Sequence, residues 1–205
     1  MRTLAEQTAN VRSEFASRPQ GLVRHVERVF EEALDLGARF GVDPDRIELA
    51  TWGHDLFRAH GPEEQLRLAR EAGVAVLAED EASPVLLHGP IAAAVLGERF
   101  EVSDDEVLAA VRDHTSGAAT IPTLAKIILL ADKLESRKRK RDPLLPEIRR
   151  LARRDLDLAL LCWSDWKWVQ ERERAWTSSV RHWNARAAWV AAHHLEAALP
   201  PRAEH

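Results

Sequence analysis

The chain has no tyrosine, one cysteine, one methionine, and only nine glycines and ten prolines among its 205 residues. A lone cysteine, Cys162, excludes an internal disulfide. The sparse glycine and proline punctuate the chain rather than saturate it, so no low-complexity linker is read, and no internal repeat is visible. No apolar stretch after Met1 has the form of a secretory signal or a membrane span, and the expected location is cytoplasmic. There is no overall excess of positive charge either, the formal net charge being −4, which argues against general nucleic-acid binding.

What is present is 45% hydrophobic and 30% charged, enough to bury one sizeable core and too short to favour two ordinary domains. The expectation is a single domain over 1–205, with a core at about 19–142 and a helical C-terminal part at about 143–200. Charge is segregated along it. Residues 137–154 hold nine Lys or Arg against Asp142 and Glu147, a local +7 on an otherwise acidic chain, which suits an anionic small molecule. Six of the seven tryptophans fall within 163–189, marking a different packing surface or a dimer interface in the C-terminal third.

The hydrophobic period is helical throughout, and no segment alternates convincingly as a strand, so the fold class is all-α, a helical bundle. Leu22, Val26, Val29, Ala33, Leu36 and Phe40 recur at steps of four and three up to Gly41, with His25 on the same face. Asp43-Pro44 starts a helix whose inward stripe is Ile47, Ala50, His54 and Phe57. A short helix at 62–72 ends at Gly73, and another starts at Ser83-Pro84 and breaks at His88-Gly89-Pro90. Ser103 with Glu106 reads as a capping box for a helix carrying Val107, Ala110, Val111 and His114, which stops at Gly117. From Pro122 the run Leu124–Leu134 is apolar nearly all round, with Asp132 embedded in it and Lys133 expected to point elsewhere. Further helices follow Pro146, the last near 183–199.

A single core histidine is ordinarily a packing residue. Here His25, His54, Asp55, His88, His114 and Asp132 all fall at inward or helix-terminal positions, and a buried carboxylate such as Asp132 needs a cation nearby, either a basic side chain or a metal. Imidazole mixed with carboxylate suits iron, manganese, cobalt or zinc rather than magnesium. Two such metals sharing one Asp could generate a hydroxide near neutral pH and clamp a phosphoryl group.

In this order, His25, the pair His54-Asp55, LHGP with His88, HTSG with His114 and LADKLE with Asp132, at spacings of 29, 34, 26 and 18, the chain resembles the HD-superfamily phosphohydrolases. Within them it is similar to the symmetrical diadenosine tetraphosphate hydrolases, and the likeness continues weakly through RRDLDLAL and SVRHWNARAAWV. The resemblance implies that His25, His54, Asp55 and Asp132 bind one iron-like metal, and Asp55, His88 and His114 a second, with Asp55 bridging. It implies a nucleotide substrate, with Asp55 and Arg58 as the catalytic residues and Arg58, Lys133, Arg137 and Arg139 near the phosphates. The reaction implied is attack by a metal-bound hydroxide, giving two ADP.

The chain departs from those relatives at Arg58, where Lys is common, at Ala118, where an Arg commonly follows, and at Leu22, where Arg is frequent. Other nucleotides as substrate, nucleotide binding without turnover, or a metal-binding scaffold touching RNA are the alternatives. The basic run Arg137–Arg141 reads equally as a solvated turn. The tryptophans read as packing residues rather than base-stacking platforms. Cys162 has no assigned role, and His60, His182, His193, His194 and His205 are read as surface or structural.

Overall fold

The computed structural model describes residues 2–140 and 142–197, so Arg141, His205 and the last three residues of the expected C-terminal part, 198–200, lie outside the described residues. The helices are α1 (Leu4–Phe15), α2 (Gln20–Phe40), α3 (Pro44–His54), α4 (Pro62–Glu71), α5 (Ala78–Ala82), α6 (His88–Arg99), α7 (Asp105–Asp113), α8 (Thr123–Leu134), α9 (Ser136–Arg139), α10 (Leu144–Ala152), α11 (Leu156–Glu173) and α12 (Val180–Ala197). No strand occurs among the described residues, as an all-α chain requires. No described helix is long and apolar enough to cross a membrane.

The two central elements are α3 and α8. Every residue of α8 from Leu124 to Leu134 other than Lys126 and Lys133 is buried, because α2, α3, α7, α10 and α11 all pack against it. The remaining side of α3 is closed by α1, whose Val11 and Phe15 are fully buried, Phe15 meeting Trp52 edge-on at 5.6 Å between ring centres. One hydrophobic cluster runs from Val11 to Trp163. The hydrophobic period did not single out α1, yet its start is written in the sequence: Thr3 and Glu6 cap each other reciprocally.

Three local expectations are corrected. The Asp43-Pro44 helix ends at His54, so Phe57 is buried from a turn and not from a helical stripe. The N-cap of α7 is Asp104 and not Ser103, because the Asp104 carboxylate accepts the N–H groups of Glu106 and Val107 while also pairing bidentately with Arg46 at 2.7 Å. The segment after Gly73 contains α5, which carries little apolar periodicity. It exists to dock α12: Asp80, fully buried, holds Arg181, and Glu79 accepts from Ser179 Oγ and the Val180 N–H.

The basic run is in part a solvated turn, with Arg137 and Lys140 exposed, and in part not, with Lys138 and Arg139 half-buried. Arg139 and Arg149 converge on the buried Glu32 of α2 at 2.5 and 2.6 Å, and Arg149 and Arg153 reach Asp35 at 3.1 Å. Three of the nine basic residues of 137–154 are therefore paired within the molecule, with carboxylates of α2.

Candidate metal centre

Four helix ends and one helix interior meet at a single point. Asp55 is the residue that terminates α3, with φ −106° and ψ 16°, a sparsely populated conformation that swings its carboxylate out of the helix line. The turn beyond it is tied down by Arg18, which donates to the Leu56 carbonyl at 2.9 Å, and by the buried Gln65, which donates to the His60 carbonyl at 3.1 Å. His88 opens α6, His114 closes α7, Asp132 lies on α8 and His25 on α2. All six residues that the sequence singled out as ligands come together here.

Two glycines explain the short motifs around them. A Cβ on Gly89 would sit 2.9 Å from the carbonyl oxygens of Val111 and Arg112 and 3.2 Å from the His114 ring, so LHGP lets α6 approach the end of α7 with no side chain between. Gly117 has φ +72° and lies under the Trp189 ring, where a Cβ would be 2.7 Å away. It ends the turn after His114 and seats α12 on it.

The imidazoles are oriented by backbone. Nδ1 of His54, His88 and His114 faces the carbonyl three residues earlier, of Thr51 at 2.6 Å, of Val85, and of Val111 at 2.8 Å. Each Nδ1–H donates there, which leaves each Nε2 as a lone pair aimed at Asp55. Asp55 Oδ1 lies 3.1 Å from His88 Nε2 and 3.6 Å from His114 Nε2, while Oδ2 lies 3.7 Å from both His25 Nε2 and His54 Nε2. His25, His54 and Asp55 form one potential ligand group, and Asp55, His88 and His114 a second, with Asp55 in both. Asp132 Oδ1 is 3.0 Å from His25 Nε2 at the edge of the first.

These donors fit a metal. The Nε2 of His54 is buried with no hydrogen-bond partner, a costly state for an unpaired polar atom. The Nε2 atoms of His88 and His114 are 2.9 Å apart, and with both Nδ1 hydrogens committed elsewhere neither carries a proton for the other. Thr115 Oγ1, at 3.3 and 3.0 Å, has one hydrogen and can satisfy one of them. Such a convergence of lone pairs and carboxylate oxygens is compatible with a divalent metal ion.

Burial pushes His54 down, and His114 to about 3, so both rings are neutral near pH 7, the form a metal needs. Burial opposes ionisation of Asp55, yet its carboxyl is held well below its ordinary range, so ionised oxygens face the imidazole lone pairs. Asp132 is likewise held low against the cost of burial, by Lys133, Lys138 and His25. For His25 the cost of burial is exceeded by its bonds to Asp132 and Glu135, which raise it.

The cleft over these residues has a volume of about 360 Å³ and is walled by Leu22, Arg58, Val85, Thr115, Lys133 and Lys138 besides the ligands. Arg58 is exposed on the turn after Asp55 and lines the cleft. Lys133 folds back rather than pointing elsewhere, its Nζ 2.5 Å from Asp132 Oδ2, because the buried carboxylate attracts it. Of the other residues expected near phosphates, Arg139 is turned to Glu32 and the Leu134 carbonyl, and Arg137 is exposed; neither lines the cleft. The cation of that run that does reach it is Lys138, 2.7 Å from Asp132 Oδ1, which charge density alone could not single out. Glu135 also went unread. Almost fully buried, it binds Arg28 at 2.7 Å and faces His25 Nδ1 at 3.7 Å, and its only signal was its place in LADKLE.

An all-helical bundle with a buried, backbone-oriented His/Asp cluster centred on a His-Asp pair defines the class, and the chain belongs to the HD domain family, which matches residues 22–137. It is 34% identical over 139 residues to the symmetrical bis(5'-nucleosyl)-tetraphosphatase of Bacillus subtilis (strain 168), covering 67% of this chain and 72% of that one. It is 33% identical over 141 residues to the protein of the same name from Halalkalibacterium halodurans, with the same coverage. The fold also matches the crystal structure of a Clostridium acetobutylicum protein described as a predicted HD superfamily hydrolase involved in NAD metabolism, with a TM-score of 0.83 over 94% of this chain and 99% of that one, at 22% identity.

Proposed function

We propose that this protein hydrolyses diadenosine tetraphosphate symmetrically to two molecules of ADP. The observation that carries the reading is the single carboxylate, Asp55, shared by two histidine groups beneath a cleft lined with Arg58, Lys133 and Lys138. Similarity over two thirds of the chain to two proteins named symmetrical bis(5'-nucleosyl)-tetraphosphatase supports the substrate.

In this reading His25, His54, Asp55 and Asp132 hold one metal and Asp55, His88 and His114 the other, with iron as the occupant and manganese or cobalt as substitutes. Bound metals supply Lewis-acid activation of water and neutralise phosphoryl charge. The chain's own residues do the positioning. The three backbone carbonyls fix the imidazole rings, so little reorganisation is needed as substrate enters. Arg58 can grip non-bridging oxygens bidentately where a lysine offers a point charge, and Lys133 and Lys138 add further cations to the cleft. A water oxygen bonds to one of the two central phosphorus atoms, the central anhydride P–O bond breaks, and the bridging oxygen leaves on the second ADP. Two protons are released overall near neutral pH. Leu22 lines the cleft without a charge, and Lys138 supplies a cation there.

The test is chromatography of products after incubating the purified protein with diadenosine tetraphosphate and iron or manganese, beside a His54→Ala, Asp55→Ala double variant. ADP as sole product, lost in the variant, is the expected outcome. ATP with AMP, or no turnover by metal-loaded protein, overturns it.

A further inference from the structure

A second cavity, of about 340 Å³, adjoins the metal cleft and shares Lys133 and Lys138 with it. Three tryptophans, Trp163, Trp166 and Trp176, line it together with Leu145 and several polar side chains, Glu171 and Arg174 among them. Lys133 stands at the boundary, its Nζ 2.5 Å from Asp132 on one side and 5.9 Å from the centre of the Trp163 ring on the other. A ligand crossing this boundary therefore meets metal ligands, then cations, then indole faces.

The aromatic walls combine core packing with exposure to the cavity. Trp163 is buried and belongs to the core, but Trp166 is half-buried and anchored at its edge, Nε1 donating to Asp142 at 2.9 Å, so its ring cannot turn away. Trp176 is 54% exposed yet lines the cavity. It is brought there by Ala175, which has φ +51° in the turn after α11 and lets the Trp176 N–H reach back to the Glu171 carbonyl at 2.9 Å. Glycine is the usual residue at such a position, because a Cβ there is strained. The Arg174 guanidinium stacks 4.7 Å from the Trp176 ring centre and holds the ring in place.

We infer that the tryptophan-walled cavity is the nucleoside subsite of the same centre, taking a nucleobase against Trp166 and Trp176 while the attached phosphates cross Lys133 and Lys138 toward the metals. The inference rests on the nucleotide-hydrolase reading for its ligand class, and it adds a ligand-facing role to the packing role that Trp163 and Trp166 have in and against the core. Aromatic stacking is tolerant of base identity, so these residues supply affinity for a nucleoside end more than discrimination among bases.

The experiment measures binding, by titration calorimetry, of ADP and of inorganic pyrophosphate to the manganese-loaded full chain and to its Trp176→Ala, Trp166→Ala and Trp176→Phe variants. Loss of one stacking face weakens ADP by about tenfold in either alanine variant, leaves pyrophosphate within about twofold, and is largely restored in Trp176→Phe. Unchanged ADP affinity in both alanine variants, equal loss for ADP and pyrophosphate, or no ADP binding by the unaltered protein each overturn the inference. Failure here is separable from failure of the proposed reaction. Symmetrical cleavage with no tryptophan dependence leaves the reaction standing, and tryptophan-dependent ADP binding without cleavage of diadenosine tetraphosphate leaves the subsite standing.

Discussion

The cluster around Asp55 and the contacts made by the C-terminal third both bury charge, and they deal with it in opposite ways. Around Asp55 the buried groups are nearly all electron donors: three imidazole nitrogens with their hydrogens turned outward, and carboxylates from α3 and α8. Where the C-terminal third packs on the rest of the chain and within it, each buried carboxylate meets a cation of the chain itself, Glu32 with Arg139 and Arg149, Asp80 with Arg181, and Glu171 with Lys167. Burial alone thus does not mark a functional group. What distinguishes the site is a set of donors that the chain leaves without enough positive charge, whereas a matched set is a fastening between helices.

Glu32→Ala tests the fastening side and has the largest expected effect. It removes a buried acceptor and strands Arg139 and Arg149 against α2, so urea unfolding should show a loss of about 3 to 5 kcal/mol. A loss below about 1 kcal/mol would mean that these pairs are solvated ornaments and that the contrast between the two regions is false. Gly89→Ala tests the donor side. The added methyl is forced onto the Val111 and Arg112 carbonyls, moving His88 relative to His114, and phosphohydrolase activity should fall by about a hundredfold with the helical circular dichroism signal retained. Full activity in this variant would show that the approach of α6 to α7 does not set the geometry of the centre.

The smallest effect concerns His182, which joins the two regions. It is buried between Trp163 and Trp189, and Nδ1 faces the Ser116 carbonyl at 3.2 Å in the turn after His114. Burial lowers it from its ordinary 6.5 to about 4. The unfolded chain therefore binds the extra proton first, so the stability this neutral ring provides is fully present above pH 6.5 and is lost as the pH falls toward 4. The difference in unfolding free energy between the protein and His182→Asn should shrink by about 2 kcal/mol from about pH 7.5 to about pH 5. A difference independent of pH would place the proton elsewhere.

Much of this architecture is legible along the chain, for reasons that are local. The periodicity of α2 and the all-round apolarity of α8 state which sides are covered, and Asp43-Pro44, Gly41 and Gly73 bound their helices by capping and left-handed turns. The six ligand candidates were recoverable because each lies in a short, order-dependent motif. Thr3 and Glu6 were legible too, although α1 carries too few apolar residues for its period to stand out. Lys138 and Glu135 were not, since one lies in a run of like charges and the other looks like any surface glutamate until α2 closes over it.

The sequence by itself determined the helical class and the set of metal-ligand candidates, because helix period, caps and motif order are properties of neighbours in the chain. Only the tertiary structure decided which positive charges face the cleft and which are consumed by Glu32 and Asp35, and which tryptophans line a cavity. Electrostatic pairing and cavity shape depend on distances between residues far apart in the chain, as with Arg149 and Glu32 across 117 positions, and no local pattern encodes them.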